Sequence, residues 1–156
     1  MDRARLPTIG PLLWYRDPRA AIAWLEKAFG FECRMIVEGE GGSVMHSELA
    51  LGDGYIMVVG PPTPTLPNVR TPLDLGGGHT ASVHIQLTRG IEDHYARAKA
   101  AGAEITRELA LQPYGDTVYV CRDLEQHPWS VAETTKLMSN AEMEAATGHK
   151  VSGGAD

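Results

Sequence analysis

The sequence predicts an α+β fold built from two tandem copies of one strand–helix–three-strand (βαβββ) unit. The chain has 156 residues, of which 43% are hydrophobic, which is enough to bury one sizeable core. Strand-like segments surround two amphipathic helical patterns, and a local repeat relates those two patterns. Residues 28–32, Ala-Phe-Gly-Phe-Glu, correspond to residues 100–104, Ala-Ala-Gly-Ala-Glu, 72 positions later. Internal repeats decide a fold, so we predict two units.

The first unit is predicted to occupy residues 1–60. A strand over 6–15 leads to Asp17, a helix N-cap that is followed by proline at the first helical position. Gly30 is expected to end this helix. Three strands follow at 31–37, 44–51 and 55–59, and a glycine-rich turn, Gly-Asp-Gly, joins the last two.

A linker or covering loop is predicted over residues 61–79, a segment rich in proline and glycine. The unit then repeats over 80–135. Its predicted elements are a strand at 80–88, a helix at 91–101, a strand at 103–107 and a hairpin of strands 117–122 and 129–133. Residues 136–156 are predicted to form a short helix, from a capping box at Ser139 and Glu142, followed by a tail.

Composition narrows the classes of partner. The formal charge is −6 without a cluster of lysine and arginine, which argues against nucleic acid as a partner. Two cysteines are too few for a disulfide framework and fit a reducing compartment. We see no apolar leader and no apolar run of membrane-spanning length. A cytoplasmic location without membrane contact is therefore expected.

The segment from Ser82 to Thr88 alternates strictly between polar and apolar residues. Val83, Ile85 and Leu87 form an apolar face that is expected to pack on a helix. The polar face carries Ser82, His84, Gln86 and Thr88. Two interpretations are open for that face, because antiparallel sheets often leave one side in water and a polar face can also line a pocket.

Several short segments carry a family resemblance. They are residues 15–17 (Tyr-Arg-Asp), 20–25, 28–31, 46–49 (His-Ser-Glu-Leu), 52–54, 94–98, 101–103, 114–116 (Tyr-Gly-Asp) and 123–129 (Asp-Leu-Glu-Gln-His-Pro-Trp). In this order and spacing they resemble the vicinal oxygen chelate superfamily, which includes glyoxalase I, bleomycin-resistance proteins and extradiol dioxygenases. The resemblance implies that each unit curls its sheet, with helices outside, so that concave faces form a cup. It also implies a homodimer.

Strand parity then assigns side chains to the expected cup. Apolar residues such as Met45, Leu49, Val118 and Val120 are expected to face the helices. His46, Glu48 and His84 are predicted to face the cup as acid–base groups. The predicted ligand-binding residues are Trp14, Tyr55, Met57, Ser82, Gln86, Tyr119, Cys121 and Ser130. Aromatic and aliphatic walls with a few polar groups are typical of a small-molecule site.

The resemblance also bears on metal binding. Metal-using members carry ligands on the first and fourth strands of each unit, and the matching positions here are Gly10 or Leu12, Met57, His84 and Ser130. One good ligand among four predicts that no metal cofactor is bound. An alternative is a divalent metal held by His46, Glu48 and His84, since two histidines and a carboxylate form a facial triad.

The sequence therefore predicts a metal-independent protein that binds a small, partly aromatic organic molecule. The alternative function is an enzyme of the same superfamily, an isomerase, lyase or dioxygenase. That enzyme would use His46, Glu48 and His84 for proton transfer or as the unusual metal site.

Overall fold

The computed structural model describes residues 6–60 and 66–153, which form two four-stranded mixed sheets and three α-helices. The elements in chain order are β1 (Leu12–Trp14), α1 (Pro18–Phe29), β2 (Glu32–Glu38), β3 (Val44–Leu51), β4 (Gly54–Val59), β5 (Val83–Leu87), α2 (Ile91–Ala100), β6 (Glu104–Leu111), β7 (Asp116–Arg122), β8 (Pro128–Thr134) and α3 (Asn140–Thr147). Of the helices in the described ranges, none is long and apolar enough to cross a membrane.

The two sheets repeat one topology. The first sheet has the order β1-β4-β3-β2 and the second has the order β5-β8-β7-β6. In each sheet the first strand pairs parallel with the fourth, and the remaining pairs are antiparallel. The predicted fold of two tandem βαβββ units is confirmed.

Prolines account for the main difference in strand length. The strand predicted over 6–15 is reduced to Leu12–Trp14, because Pro7 and Pro11 cannot donate to a ladder. The carbonyl of Pro11 still accepts a hydrogen bond of 2.8 Å from the backbone N–H of Met57. Within the segment predicted as a linker or covering loop, Pro72–Leu75 forms a short 3₁₀ turn, while residues 61–65 lie outside the described residues.

Local signals place the first helix as predicted. The side chain of Asp17 accepts from the backbone N–H of Ala20, and Gly30 ends the helix in the left-handed region with φ of 80°. The helix buries its apolar face, whose fully buried members include Leu25 and Phe29. The second helix starts differently, since the Glu133 carboxylate accepts the N–H of Ile91 at 2.9 Å.

The two long helices pack together and cap each other. Trp24 on α1 donates from Nε1 to the carbonyl of Ala101, just beyond α2, at 2.8 Å. In return Arg97 on α2 donates to the carbonyls of Ala28 and Phe29 at 3.1 and 3.0 Å. The last carbonyls of a helix have no partner within it, so each helix end is completed by the other unit.

A buried carboxylate, Asp123 in the β7–β8 turn, joins the two units. Its Oδ2 accepts from the hydroxyl of Tyr15 at 2.5 Å and from Nε1 of Trp129 at 3.0 Å. Its Oδ1 accepts the backbone N–H groups of Glu125 and His127. Burial raises the pKa of Asp123, but the imidazole of His127, whose Nδ1 lies 3.4 Å from Oδ2, and the hydrogen bonds from Tyr15 and Trp129 outweigh burial and lower the pKa overall.

Glu125 in the same turn makes a second connection. Its carboxylate accepts the backbone N–H groups of Arg16 and Asp17 at 2.7 and 2.8 Å, at the entry to α1. The turn therefore fixes both the end of β1 and the start of the first helix.

A bulge in β3 changes the faces predicted for its first residues. Pairing shifts between Val37–His46 and Glu38–Val44, which leaves Met45 as one additional residue. Met45, predicted to face a helix, is 51% exposed, and Val44 enters the core instead. Beyond the bulge, Leu49 faces the core as predicted.

The two faces of β5 can be tested by mutation. Ile85 is buried in the core that spans both units, so Ile85→Ser should lower the free energy of unfolding by about 2–4 kcal/mol. Gln86 is exposed, and Gln86→Leu should change the free energy of unfolding by less than about 1 kcal/mol. Urea denaturation of both variants measures the difference. Reversed effects would show that the faces are assigned wrongly.

Candidate functional site

The exposed face of β5 begins a chain of four hydrogen-bonded side chains, which we call the polar row: Ser130, His84, Gln86 and Thr134. Nδ1 of His84 lies 3.2 Å from Oγ of Ser130, and its Nε2 lies 3.0 Å from Oε1 of Gln86. The amide of Gln86 in turn donates to Oγ1 of Thr134 at 3.1 Å.

The hydrogen bonds of the polar row run in one direction, from Ser130 toward Thr134. Because the Gln86 amide nitrogen faces Thr134, its oxygen faces His84, which then donates from Nε2. Nδ1 of His84 is left as the acceptor for the Ser130 hydroxyl. Parity placed His84, Gln86 and Ser130 on one face, and the structure brings these three together.

Beside β5 lies a cavity of about 710 Å³, which we call the inter-module cleft. It is lined by Ile9, Pro11, Phe31, Leu51, Gly52, Asp53, Gly54, Tyr55, Ile56 and residues 83–88. The first group belongs to the first unit and residues 83–88 belong to the second. The inter-module cleft therefore lies between the two units.

Tyr55 lies on the first-unit side of the inter-module cleft. Its ring lies against the backbone of Gly10, where an added Cβ would clash with the ring. Glycine at position 10 thus lets Tyr55 lie close to the segment before β1. Tyr55 and the β5 residues His84 and Gln86, which the sequence assigned to one site, line the same cavity.

His46 and Glu48 form a separate pair on β3. Nε2 of His46 lies 3.3 Å from Oε1 of Glu48, whose side chain is almost fully buried. Glu48 borders a small crevice that it shares with Arg34 and Tyr55. Neither His46 nor Glu48 lines the inter-module cleft, so they do not form one site there with His84.

The strand register identifies the positions equivalent to family metal ligands. Leu12 pairs with Met57 in the first sheet as His84 pairs with Ser130 in the second. This register selects Leu12 rather than Gly10 as the counterpart of His84. An imidazole and a hydroxyl, with a leucine and a thioether, do not fit a divalent-metal site. Within residues 6–60 and 66–153, no group of three or more His, Cys, Asp or Glu is placed to hold a metal ion.

Two predicted pocket residues lie in the core instead. Tyr119 and Cys121 are fully buried on the helix-facing side of β7. Val120 pairs with Ser130, so it is Val118 and Val120 that share the face of the polar row. Burial raises the pKa of the Cys121 thiol to about 12 and also raises that of Tyr119. Neither side chain is available to a ligand in the cleft.

The remaining predicted residues are dispersed. Trp14 and Met57 lie on adjacent strands of the first sheet, where Trp14 is 8% exposed, and neither lines the inter-module cleft. Ser82 is exposed just before β5 and does not line it either. Sequence reasoning missed Phe31 and Asp53, which do line it. The turn signal around Asp53 could have suggested a loop facing the cleft.

Comparison with known proteins gives the family. The profile of the glyoxalase/bleomycin resistance protein/dioxygenase superfamily matches residues 6–131. This chain belongs to that superfamily. TioX from Micromonospora sp. ML1 is 31% identical to it, with 81% of this chain and 98% of TioX covered and a TM-score of 0.64.

Other relatives extend the comparison. An uncharacterized protein of Mycobacterium bovis is 28% identical over 142 residues, which cover 90% of this chain and 91% of that protein. The fosfomycin resistance protein FosX from Listeria monocytogenes is 14% identical, and the two structures superpose with a TM-score of 0.63 over 88% of this chain and 97% of FosX. At that identity FosX shares the fold alone.

His94 on α2 is a buried base whose titration affects stability. Burial, followed by the charge of Arg97, lowers the pKa of His94 from 6.5 to about 4. Its Nδ1 lies 2.7 Å from the hydroxyl of Tyr119. Between pH 6.5 and 4 the unfolded chain therefore binds a proton that the folded chain does not, and acid favours unfolding.

Replacing His94 by a residue that does not titrate tests this titration. The titration of His94 should by itself cost the wild-type protein at most about 3 kcal/mol of unfolding free energy as pH falls from 6.5 to 4. In His94→Gln, which keeps a partner for Tyr119, the slope should flatten, as measured by urea denaturation across that range. His149→Gln, at an exposed position, is the control. An equal slope in His94→Gln would contradict the assignment.

Proposed function

We propose that this protein binds a small, partly aromatic organic molecule in the inter-module cleft without a metal ion. The observation that carries the proposal is that Tyr55 of the first unit and His84 and Gln86 of the second line one cavity. Its volume of about 710 Å³ lies within the range of roughly 300–1,000 Å³ that is usual for ligand pockets.

The lining suits an amphipathic ligand. Phe31 and Tyr55 offer aromatic surfaces on which a ring can pack, since aromatic pairs stabilise by contact area and ring geometry. On the β5 side, His84, Gln86 and Thr88 offer hydrogen-bonding groups that would orient the ligand. Among the described residues that line the cleft there is no lysine or arginine, so a ligand need not be anionic.

Metal independence is supported by the donor set. At the four positions equivalent to family ligands, only His84 is a strong ligand for a divalent ion. The polar row gives both nitrogens of His84 a side-chain partner already. The enzyme alternative with His46, Glu48 and His84 in one site is not favoured, because only His84 lines the inter-module cleft.

We further propose a homodimer. Leu12, Val37 and Met45, on three strands of the first sheet, are large apolar side chains that are at least a third exposed. A second copy of the chain would cover them. A mass near twice 16.9 kDa in sedimentation equilibrium supports this assembly, and a monomer contradicts it.

A ligand screen tests the binding proposal. Small aromatic compounds are titrated into ¹⁵N-labelled protein, and a hit should shift amide signals of residues 52–56 and 83–88. Tyr55→Ala and Gln86→Leu should each weaken that hit by about 5- to 30-fold, corresponding to about 1–2 kcal/mol. Glu92→Gln, an exposed change on α2 outside the cleft, should leave affinity unchanged. Hits that cluster elsewhere would refute the site.

Elemental analysis tests metal independence. Protein purified without chelator and then dialysed should hold well under one equivalent of iron, zinc, nickel or manganese. Ligand affinity should also be the same before and after treatment with a chelator. About one equivalent of metal that is retained by the wild type and lost in His84→Ala would overturn this part of the proposal.

A further inference from the structure

The strand β5 lies at an edge of its sheet. The sheet order is β5-β8-β7-β6, and within the described parts of the chain β5 pairs with β8 alone. An edge strand presents backbone N–H and C=O groups that no neighbouring strand pairs, which makes it a template for another extended chain. The opposite edge of this sheet, β6, provides an internal comparison.

The inter-module cleft follows this free edge rather than one face of the sheet. Successive side chains of a strand point to opposite faces, so a cavity over one face would be lined by alternate residues. Here every residue from Val83 to Thr88 lines the cavity. The cavity therefore extends beside the strand, where the unpaired backbone groups lie.

The two flanks of the edge differ in chemistry. One flank carries the apolar side chains Val83, Ile85 and Leu87 of β5, and Phe31 and Ile56 add apolar surface from the first unit. The other flank carries His84, Gln86 and Thr88. An extended chain that lies along β5 would therefore alternate between an apolar and a polar environment.

The far wall limits what can enter. Pro11, Tyr55 and the turn at 52–54 belong to this same chain and bound the cleft on the side away from β5. The edge of a second copy would bring further strands behind it, each about 4.8 Å from the last. A single extended segment requires no such space, and a cavity of about 710 Å³ has the size of a site for one small ligand rather than for another sheet.

We propose that the inter-module cleft binds a short peptide or peptide-like compound by strand addition to β5. This inference rests on the proposed function and names its ligand class: an extended backbone with side chains of alternating polarity. Main-chain hydrogen bonds to the edge would supply affinity, and the two flanks would select the side chains. Five strand residues span about 16 Å, so the bound segment has about four to six residues.

Backbone methylation tests strand addition without a change of side chains. The probe is acetyl-Val-Thr-Val-Thr-Val-amide, compared with one analogue N-methylated at the valines and another N-methylated at the threonines. In an added strand, N–H groups of only one parity face β5. One analogue should therefore bind at least about tenfold more weakly than the parent, and the other should bind within about threefold of it.

Nuclear magnetic resonance locates the bound peptide. Titration of the parent peptide should shift and protect amides of residues 83–88, while amides of the other edge, β6, stay unchanged. A matched pair of variants places an arginine beside each edge: Thr88→Arg borders the cleft, and Thr106→Arg lies on β6, with both positions exposed. Thr88→Arg should weaken peptide binding at least fivefold, and Thr106→Arg should leave it unchanged.

The outcomes separate this inference from the proposed function. Strand addition is overturned if the two N-methylated analogues bind equally weakly, or if neither binds more weakly than the parent peptide. Small aromatic compounds that shift the cleft signals while the peptide does not bind also overturn it, yet leave the proposed function standing. Self-association that protects the β5 amides without peptide assigns the edge to a second copy and likewise overturns it. If neither peptide nor aromatic compound binds, both proposals fail.

Discussion

The buried carboxylate of Asp123 is the interaction on which the arrangement of the two units depends. It accepts hydrogen bonds from Tyr15, at the end of β1, and from Trp129 in the second sheet, while two backbone N–H groups hold it in place. A buried charge is tolerated only when it is fully paired, so loss of any partner leaves an expensive group unsatisfied. Glu125 binds the entry to α1 from the same turn, which fixes how the first unit meets the second.

The inter-module cleft follows from that junction. One of its walls is the edge of β5, and the other comes from β4, the turn before it and the segment before β1. Neither unit encloses the cavity by itself. The capping of each helix by a side chain of the other unit, through Trp24 and Arg97, adds a second constraint on the same relative placement. Residues far from the cleft therefore hold its two walls in place relative to each other.

Sequence reasoning predicted the fold well, because glycine stops, caps and alternation are local signals. It placed His84 and Gln86 on the exposed face of β5, as the structure does, since polar and apolar residues alternate without exception in that strand. It failed in β7, where valines and the pair Tyr119 and Cys121 give both faces an apolar character, so that parity could not choose between them. The bulge at Met45 and the separation of the His46–Glu48 pair from His84 depend on strand register and on packing between units, which no local pattern reveals.

The register that aligns Leu12–Met57 with His84–Ser130 has a wider consequence. An assembly of two identical single units would carry the same chemistry at both positions, and its symmetry would present the two ends of a bound molecule with identical surroundings. Joining two units in one chain removes that restriction, since each copy can change by itself. Here one position is apolar, with a leucine and a thioether, and the other is polar, with an imidazole and a hydroxyl. A duplicated scaffold of this kind can therefore present different chemistry at structurally equivalent positions.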